Sequence, residues 1–218
     1  MPTVSALSMQ RALSCVLKSR LLLAFPLLAS AFAAPPVAQP AKEKVTVVLD
    51  FKGPHSDRSV DVMKSELESI LSDAGVSFTW SSPKEASEKT SENLVVVSFK
   101  GKCILEPIPY LYDERGPLAS TFTSAEGQML PFSEVACDTV TNSIRSAMFA
   151  GDYNKADLLL GRALGRVVAH EIVHIITKSP EHSHEGVQKP ALSGSQLIAD
   201  HLKLSDKDVT RIQQDLHE

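Results

Sequence analysis

A long, mostly apolar segment in the last third of the chain places the strongest constraint on the fold. Residues 155–177 have apolar side chains at helical spacing, and Pro180 would end the helix that this spacing predicts. Between residues 167 and 176 the apolar side chains surround the helix instead of lying on one face. We therefore expect this helix to be buried, with the other elements of the chain covering it.

Two pairs of residues on this helix predict its contacts. Gly161 and Gly165 are four residues apart and lie on one face, where the absence of side chains would let a neighbouring element pack closely. Arg162 and Arg166 have the same spacing. We expect these arginines to pair with acidic residues of a neighbouring element.

The rest of the sequence predicts a single α+β domain, which agrees with the length of 218 residues. The β-α-β-β order of its first elements is typical of a mixed sheet with a helix on one face. Ser56 or Asp57 can cap the first helix, Gly75 can end it, and Ser205 can cap the last helix. The predicted strands cover residues 44–51, 76–80, 94–99, 118–123 and 128–135. The predicted helices cover residues 56–74, 138–150, 155–177, 195–202 and 206–217, and residues 81–93 are predicted to be an exposed connection.

The N-terminal segment is predicted to be a targeting sequence. Three basic residues and no acidic residue flank the start of an apolar run at 21–28, and A-x-A cleavage sequences follow at 29–31 and 31–33. The run is too short to span a bilayer and Pro26 interrupts it, so we favour a cleaved signal peptide over a retained membrane anchor. The predicted organisation is a signal peptide at 1–34, an extended leader at 35–44 and one domain at 45–218. The mature protein is expected to be secreted or periplasmic.

The charge balance bears on the partners of the mature chain. The whole chain has 22 Lys and Arg against 26 Asp and Glu, and loss of the basic signal peptide makes the remainder more acidic. An acidic protein without a basic block is poorly suited to bind nucleic acid or anionic membrane surfaces. We therefore expect no nucleic-acid partner and no stable membrane association after signal cleavage.

Two cysteines remain after cleavage, Cys103 and Cys137. In an oxidising compartment they predict a disulfide. The alternative is two separate buried thiols.

The sequence His170-Glu171-Ile172-Val173-His174 lies within the long helix. Residues i and i+4 share a helix face, so both imidazoles can bind one zinc ion. Glu171 is rotated away from that pair and can hold a water molecule without ligating the ion. This arrangement suits a zinc hydrolase, in which the ion lowers the pKa of water and the carboxylate accepts a proton.

A catalytic zinc ion needs a third protein ligand and one open position. The chain offers four nearby candidates and a more distant one, Asp200, which would resemble the carboxylate ligand of the gluzincin arrangement. The nearby candidates are Glu181, His182, His184 and Glu185.

The H-E-x-x-H sequence and its surroundings resemble the metzincin side of the zincin metalloproteases. The usual metzincin pattern is H-E-x-x-H-x-x-G-x-x-H, and here Thr177 and Pro180 replace the glycine and the third histidine. The sequence is more similar to secreted bacterial metzincin-like proteins with the pattern H-E-x-x-H-x(7)-H-S-x-x-G-[IVL]-M. Gln188 replaces the final methionine. The matching residues are His170, Glu171, His174, His182, Ser183, Gly186 and Val187.

This resemblance implies a zincin-like fold, in which a twisted mixed β-sheet packs on the long active-site helix and short helices follow at the C-terminus. It implies that His170, His174 and His182 bind Zn²⁺ and that Glu171 is the general base of a secreted metallopeptidase. Its substrate would be a peptide or protein lying along an edge strand, for which 118–123 is the candidate. The alternative function is an exported, non-catalytic zinc-binding or interaction domain, in which His184 joins the three other histidines and closes the site.

Overall fold

The computed structural model describes residues 43–88, 90–91, 93–107 and 116–216. The predicted signal peptide and most of the predicted leader lie outside these residues. In the part of the chain that is described, no helix has the length and apolar character needed to cross a membrane.

Five strands form one mixed sheet in the order β2-β1-β3-β5-β4. The first four in this order are parallel, and β4 pairs with β5 in the antiparallel direction at the edge. The predicted mixed sheet is therefore confirmed, and the candidate strand near residue 120 is an edge strand. The strands are β1 (Glu43–Phe51), β2 (Val76–Ser81), β3 (Leu94–Lys100), β4 (Ala119–Thr123) and β5 (Met129–Ala136).

The long helix predicted for the last third of the chain is α4, which begins at Ala156 after a short 3₁₀ helix at Ala150–Lys155. It ends at Thr177, and Lys178 follows in a left-handed conformation with φ 48°. The two short C-terminal helices are also present. The helices are α1 (Asp57–Ser72), α2 (Pro83–Ser87), α3 (Cys137–Arg145), α4 (Ala156–Thr177), α5 (Gly194–Ile198) and α6 (Asp206–Asp215).

The core lies between one face of the sheet and the helices α1 and α4. Alternating residues of the central strands are buried on this face, and both helices contribute buried aliphatic side chains. The mixed sheet, the buried long helix α4 and the short C-terminal helices have the α+β arrangement that was predicted. Central members of the core include Val47, Leu67, Val97, Leu164 and Val168.

Helices α1 and α4 pack closely at the two glycines. A Cβ atom at Gly161 would lie 2.5 Å from the carbonyl oxygen of Ser59, and one at Gly165 would lie 2.8 Å from that of Met63. These distances are too short for a side chain, so the predicted close packing is confirmed and α1 is the neighbouring element.

The two arginines of α4 form the predicted ion pairs. Arg166 is fully buried, and its Nε donates to Glu66 on α1 at 2.8 Å. Arg162 donates from Nη1 to Asp200 at 3.0 Å. Desolvation lowers the pKa of the Arg166 guanidinium, and the Glu66 carboxylate partly offsets this effect.

Helix α5 is shorter than predicted. It ends at Ile198, where the prediction continued to Leu202, because Ala199 is extended with ψ 154°. Arg162 donates to the carbonyl oxygens of Ile198 and Ala199 at 2.9 and 3.1 Å. The partly buried guanidinium of Arg162 thus satisfies carbonyl groups that lack helical partners, and the chain can leave the helix at this point.

Other helices also differ from the predictions. The predicted helix at 138–150 ends at Arg145, and Phe149 is extended with its amide donating to Asp152 at 2.8 Å, where the 3₁₀ helix begins. The predicted exposed connection contains α2, which a capping box between Ser82 and Glu85 starts. Helix α6 ends at Asp215, and the predicted last helical residue, His217, lies outside the described residues.

Cys103 and Cys137 form the predicted disulfide, which joins the segment after β3 to the start of α3.

We expect the Cys103→Ala/Cys137→Ala double variant to lose about 3–4 kcal/mol of unfolding free energy, because the bond closes a loop across 34 residues. Urea unfolding of the wild type and the variant measures this difference. Wild-type protein reduced with dithiothreitol is the control, since it keeps both side chains. Equal urea midpoints for reduced and oxidised protein would contradict the expectation.

Candidate metal centre and active site

His170 and His174 lie one turn apart on α4, and their Nε2 atoms are 3.1 Å apart. Nδ1 of His170 is 2.9 Å from the carbonyl oxygen of Val187, and Nδ1 of His174 is 2.7 Å from that of Ser179. A carbonyl oxygen can only accept, so each Nδ1 carries the proton and donates it. Both Nε2 lone pairs are therefore free, and they face the same small volume.

His182 completes a group of three imidazoles. Its ring centre is 5.1 Å from that of His170 and 4.8 Å from that of His174. One ring nitrogen from each of the three histidines lies within 4.8 Å of the others. Tetrahedral zinc with Zn–N distances of about 2.0–2.1 Å requires nitrogens roughly 3.4 Å apart, and the Nε2 atoms of His170 and His174, 3.1 Å apart, are close to that separation.

The electrostatic environment also suits a metal ion. Burial lowers the pKa of both His170 and His174, although the hydrogen bonds to the Val187 and Ser179 carbonyls act in the opposite direction. The neutral imidazole is the form that binds metal, so burial favours the ligand form. A donor set of three imidazoles fits Zn²⁺, and the exposed position of His182 leaves the centre open to the cleft.

A turn after α4 brings His182 back towards the helix. Gly186 adopts φ 70°, and a Cβ atom there would lie 2.5 Å from the carbonyl oxygen of Lys203. That same carbonyl accepts a hydrogen bond from the amide of Val187 at 2.9 Å. The glycine is needed both for the left-handed conformation and for this close approach.

Asp208 on α6 fixes the same turn from the other side. It is almost fully buried and accepts hydrogen bonds from the hydroxyls of Ser183 and Ser205, at 2.5 and 2.6 Å. Ser205 is the predicted N-cap of α6 and accepts from the amide of Asp208. The residue next to His182 is therefore anchored to the beginning of the last helix.

Glu171 lies beside the three histidines with 6% of its surface exposed. Its Oε2 accepts a hydrogen bond of 2.7 Å from the hydroxyl of Thr121 on the edge strand β4. Burial raises the pKa of Glu171, and the hydrogen bond from Thr121 partly offsets this rise. A carboxyl group with a raised pKa is a stronger base, as a general base near neutral pH requires.

The three histidines and Glu171 open into a cleft of about 790 Å³. The cleft is lined by the edge strand β4 with the residues before it, by α3 and by residues 189–192. A cleft of this size accommodates several residues of an extended peptide.

The other predicted ligand candidates lie away from this centre. His184 and Glu185 are exposed, and Glu181 is paired with Arg211 at 3.7 Å. Asp200 is exposed and paired with Arg162. Among the described residues, the group that could hold a metal ion contains His170, His174 and His182 alone, so the fourth ligand required for a closed site is not brought into the group.

The sequence did not predict several residues that support the site. Thr121 contacts Glu171 from 50 residues away in the sequence, and Asp208 contacts Ser183 from 25 residues away. No local sequence pattern indicates contacts over such separations. The carbonyl groups that orient the two helical histidines belong to the backbone and carry no sequence signal. Gln188 departs from the family pattern, and the sequence alone gives it no role at the site.

Comparisons with protein-family profiles and with curated proteins gave no match. Among solved structures, the chain is similar to the archaemetzincin from Methanopyrus kandleri, with a TM-score of 0.46 and 12% sequence identity. The similarity covers 84% of this chain and 99% of the archaemetzincin chain.

Proposed function

We propose that the protein is a zinc-dependent metallopeptidase. The observation that carries this proposal is the convergence of His170, His174 and His182 beside the buried carboxylate of Glu171, at the bottom of an open cleft. A structural zinc site would be closed by a fourth protein ligand, whereas a catalytic site keeps one position open.

Zinc bound by these three imidazoles would lower the pKa of water and polarise the carbonyl group of the substrate. Glu171 would accept a proton from the attacking water molecule and later deliver it to the leaving amine. The Thr121 hydroxyl holds Oε2 of Glu171, which leaves Oε1 to act on the water molecule. Burial raises the pKa of the carboxylate and therefore its basicity.

The substrate is proposed to be a peptide or an unfolded protein segment. Strand β4 pairs with β5 on one side, and its residues line the cleft. An extended peptide added along β4 would gain main-chain hydrogen bonds and would pass over Glu171, because Thr121 joins that strand to the carboxylate.

Export of the protein is part of this proposal. The sequence at 1–34 has the features of a signal peptide, and a disulfide between Cys103 and Cys137 is favoured in an oxidising compartment. We propose a secreted or periplasmic location on these grounds.

The test is metal-dependent hydrolysis by the protein purified after expression with its own N-terminal segment. We expect about one zinc ion per chain, cleavage of a reduced and alkylated protein substrate, loss of cleavage after chelation, and recovery when zinc is restored. Zinc without enzyme and chelated enzyme without added zinc are the controls. Bound zinc without any hydrolysis would contradict the proposal and favour the non-catalytic zinc-binding domain.

A further inference from the structure

We propose that Gln188 is a positioning residue that joins the two segments carrying the metal ligands, α4 and the turn at 182–188. This inference rests on the proposed function, because it takes His170 and His182 to be zinc ligands. It assigns a role in metal binding to a side chain that is itself neither a ligand nor a base.

Gln188 and its neighbour hold His170 at two points. The side-chain amide of Gln188 donates from Nε2 to the backbone carbonyl oxygen of His170 at 2.9 Å. The carbonyl oxygen of Val187 accepts the ring hydrogen bond from Nδ1 of the same histidine, also at 2.9 Å. The first contact fixes the turn at 182–188 against the backbone of α4, and the second sets the direction of the ring. Only the NH₂ group of Gln188 can face a carbonyl oxygen, so its orientation is unambiguous.

Gln188 also contacts the turn that carries the third histidine. Its backbone carbonyl oxygen accepts a hydrogen bond of 2.8 Å from the amide of Ser183, which directly follows His182. One residue therefore contacts both ligand-bearing segments, with its side chain on α4 and its backbone on the turn. Partners of this kind orient the ligands of metal sites and change metal affinity when they are replaced.

The cost of burying Gln188 indicates that stability of the fold is not the reason for its presence. The residue is completely buried, and its Oε1 has no hydrogen-bond partner among the described residues. A buried carbonyl oxygen without a partner destabilises the folded state by more free energy than a single hydrogen bond typically contributes to its stability. Methionine has a similar length and no such oxygen, so it would fill this position without the penalty. Local rules of this kind are broken mainly at functional sites.

The experiment compares Gln188→Met with the matched control Gln213→Met in the full chain. Gln213 also donates from Nε2 to a backbone carbonyl oxygen, that of Asp73 at 3.2 Å, but it is exposed and lies on α6. The dissociation constant for Zn²⁺ is measured by competition with a chromophoric chelator, and the thermal midpoint is measured on the metal-free protein. For Gln188→Met we expect zinc binding to weaken by about 10–100-fold, while the metal-free midpoint stays the same or rises. Gln213→Met should leave zinc binding unchanged.

A loss of zinc affinity without a loss of metal-free stability distinguishes positioning from a structural role. If Gln188→Met binds zinc as tightly as Gln213→Met, the inference is wrong. It is also wrong if zinc affinity and the metal-free midpoint fall together, or if the variant does not fold. A wild-type chain that binds no zinc contradicts both this inference and the proposed function. A wild-type chain that binds zinc without hydrolysing peptides contradicts the proposed function alone.

Discussion

Replacement of Glu171 with glutamine is expected to lower kcat/KM for peptide hydrolysis by about 10²–10⁴-fold. The amide has the shape of the carboxylate and can still accept the hydrogen bond from Thr121, which is 2.7 Å in the wild type. It cannot accept a proton from water. The three histidines are unchanged, so zinc content and the metal-free thermal midpoint should match those of the wild type.

Glu181→Gln is the matched control, because Glu181 is an exposed carboxylate close in sequence to His182 but outside the group of three histidines. It should retain wild-type activity. Steady-state kinetics on one fluorogenic peptide, together with elemental analysis of bound zinc, measures both variants. Wild-type activity in Glu171→Gln would show that the carboxylate is not the general base.

The second large effect concerns the identity of the third ligand. We expect His182→Ala to weaken zinc binding by more than about 100-fold, which exceeds the usual effect of losing a residue that only orients a ligand. Hydrolysis should be lost with the metal. The reason is geometric: the ring of His182 lies 4.8 Å from that of His174, and with His182 removed the described residues leave two imidazoles at the centre.

His184→Ala provides the comparison, since His184 is exposed and two positions further along the same turn. It should bind zinc with wild-type affinity. Both dissociation constants can be obtained by competition with the same chelator. Tight zinc binding by His182→Ala together with weak zinc binding by His184→Ala would show that His184, and not His182, is the third ligand. Weak binding by both variants would favour the closed, four-ligand site.

Elements whose residues contact the core at regular intervals could be predicted from the sequence. Strand β1, helix α1 and helix α4 begin and end within two residues of the prediction, because burial imposes a period of two or 3.6 residues on their apolar side chains. The end of α5 could not be predicted, because it depends on Arg162 from another helix. The start of α2 is encoded locally, because Ser82 and Glu85 form a capping box within the polar segment that is predicted to be an exposed connection.

The residues of the candidate site also fall into two groups, those that the sequence predicts and those that require the fold. The spacing of His170, Glu171 and His174 within one helix was sufficient to predict their juxtaposition. Only the family resemblance distinguishes His182 from the neighbouring candidates as the third metal ligand. The contact between Thr121 and Glu171 required the fold, because it joins an edge strand to a helix 50 residues away in the sequence.

The anchoring of the His182 turn to Asp208 has a consequence for biosynthesis. Ser183 and Asp208 are 25 residues apart, and α6 contributes the later partner. A nascent chain that has just exposed the H-E-x-x-H helix therefore lacks the contact that holds the third imidazole. A chain that ends before Asp208 would lack this contact, so truncation there should loosen the turn that places His182 beside the two helical histidines.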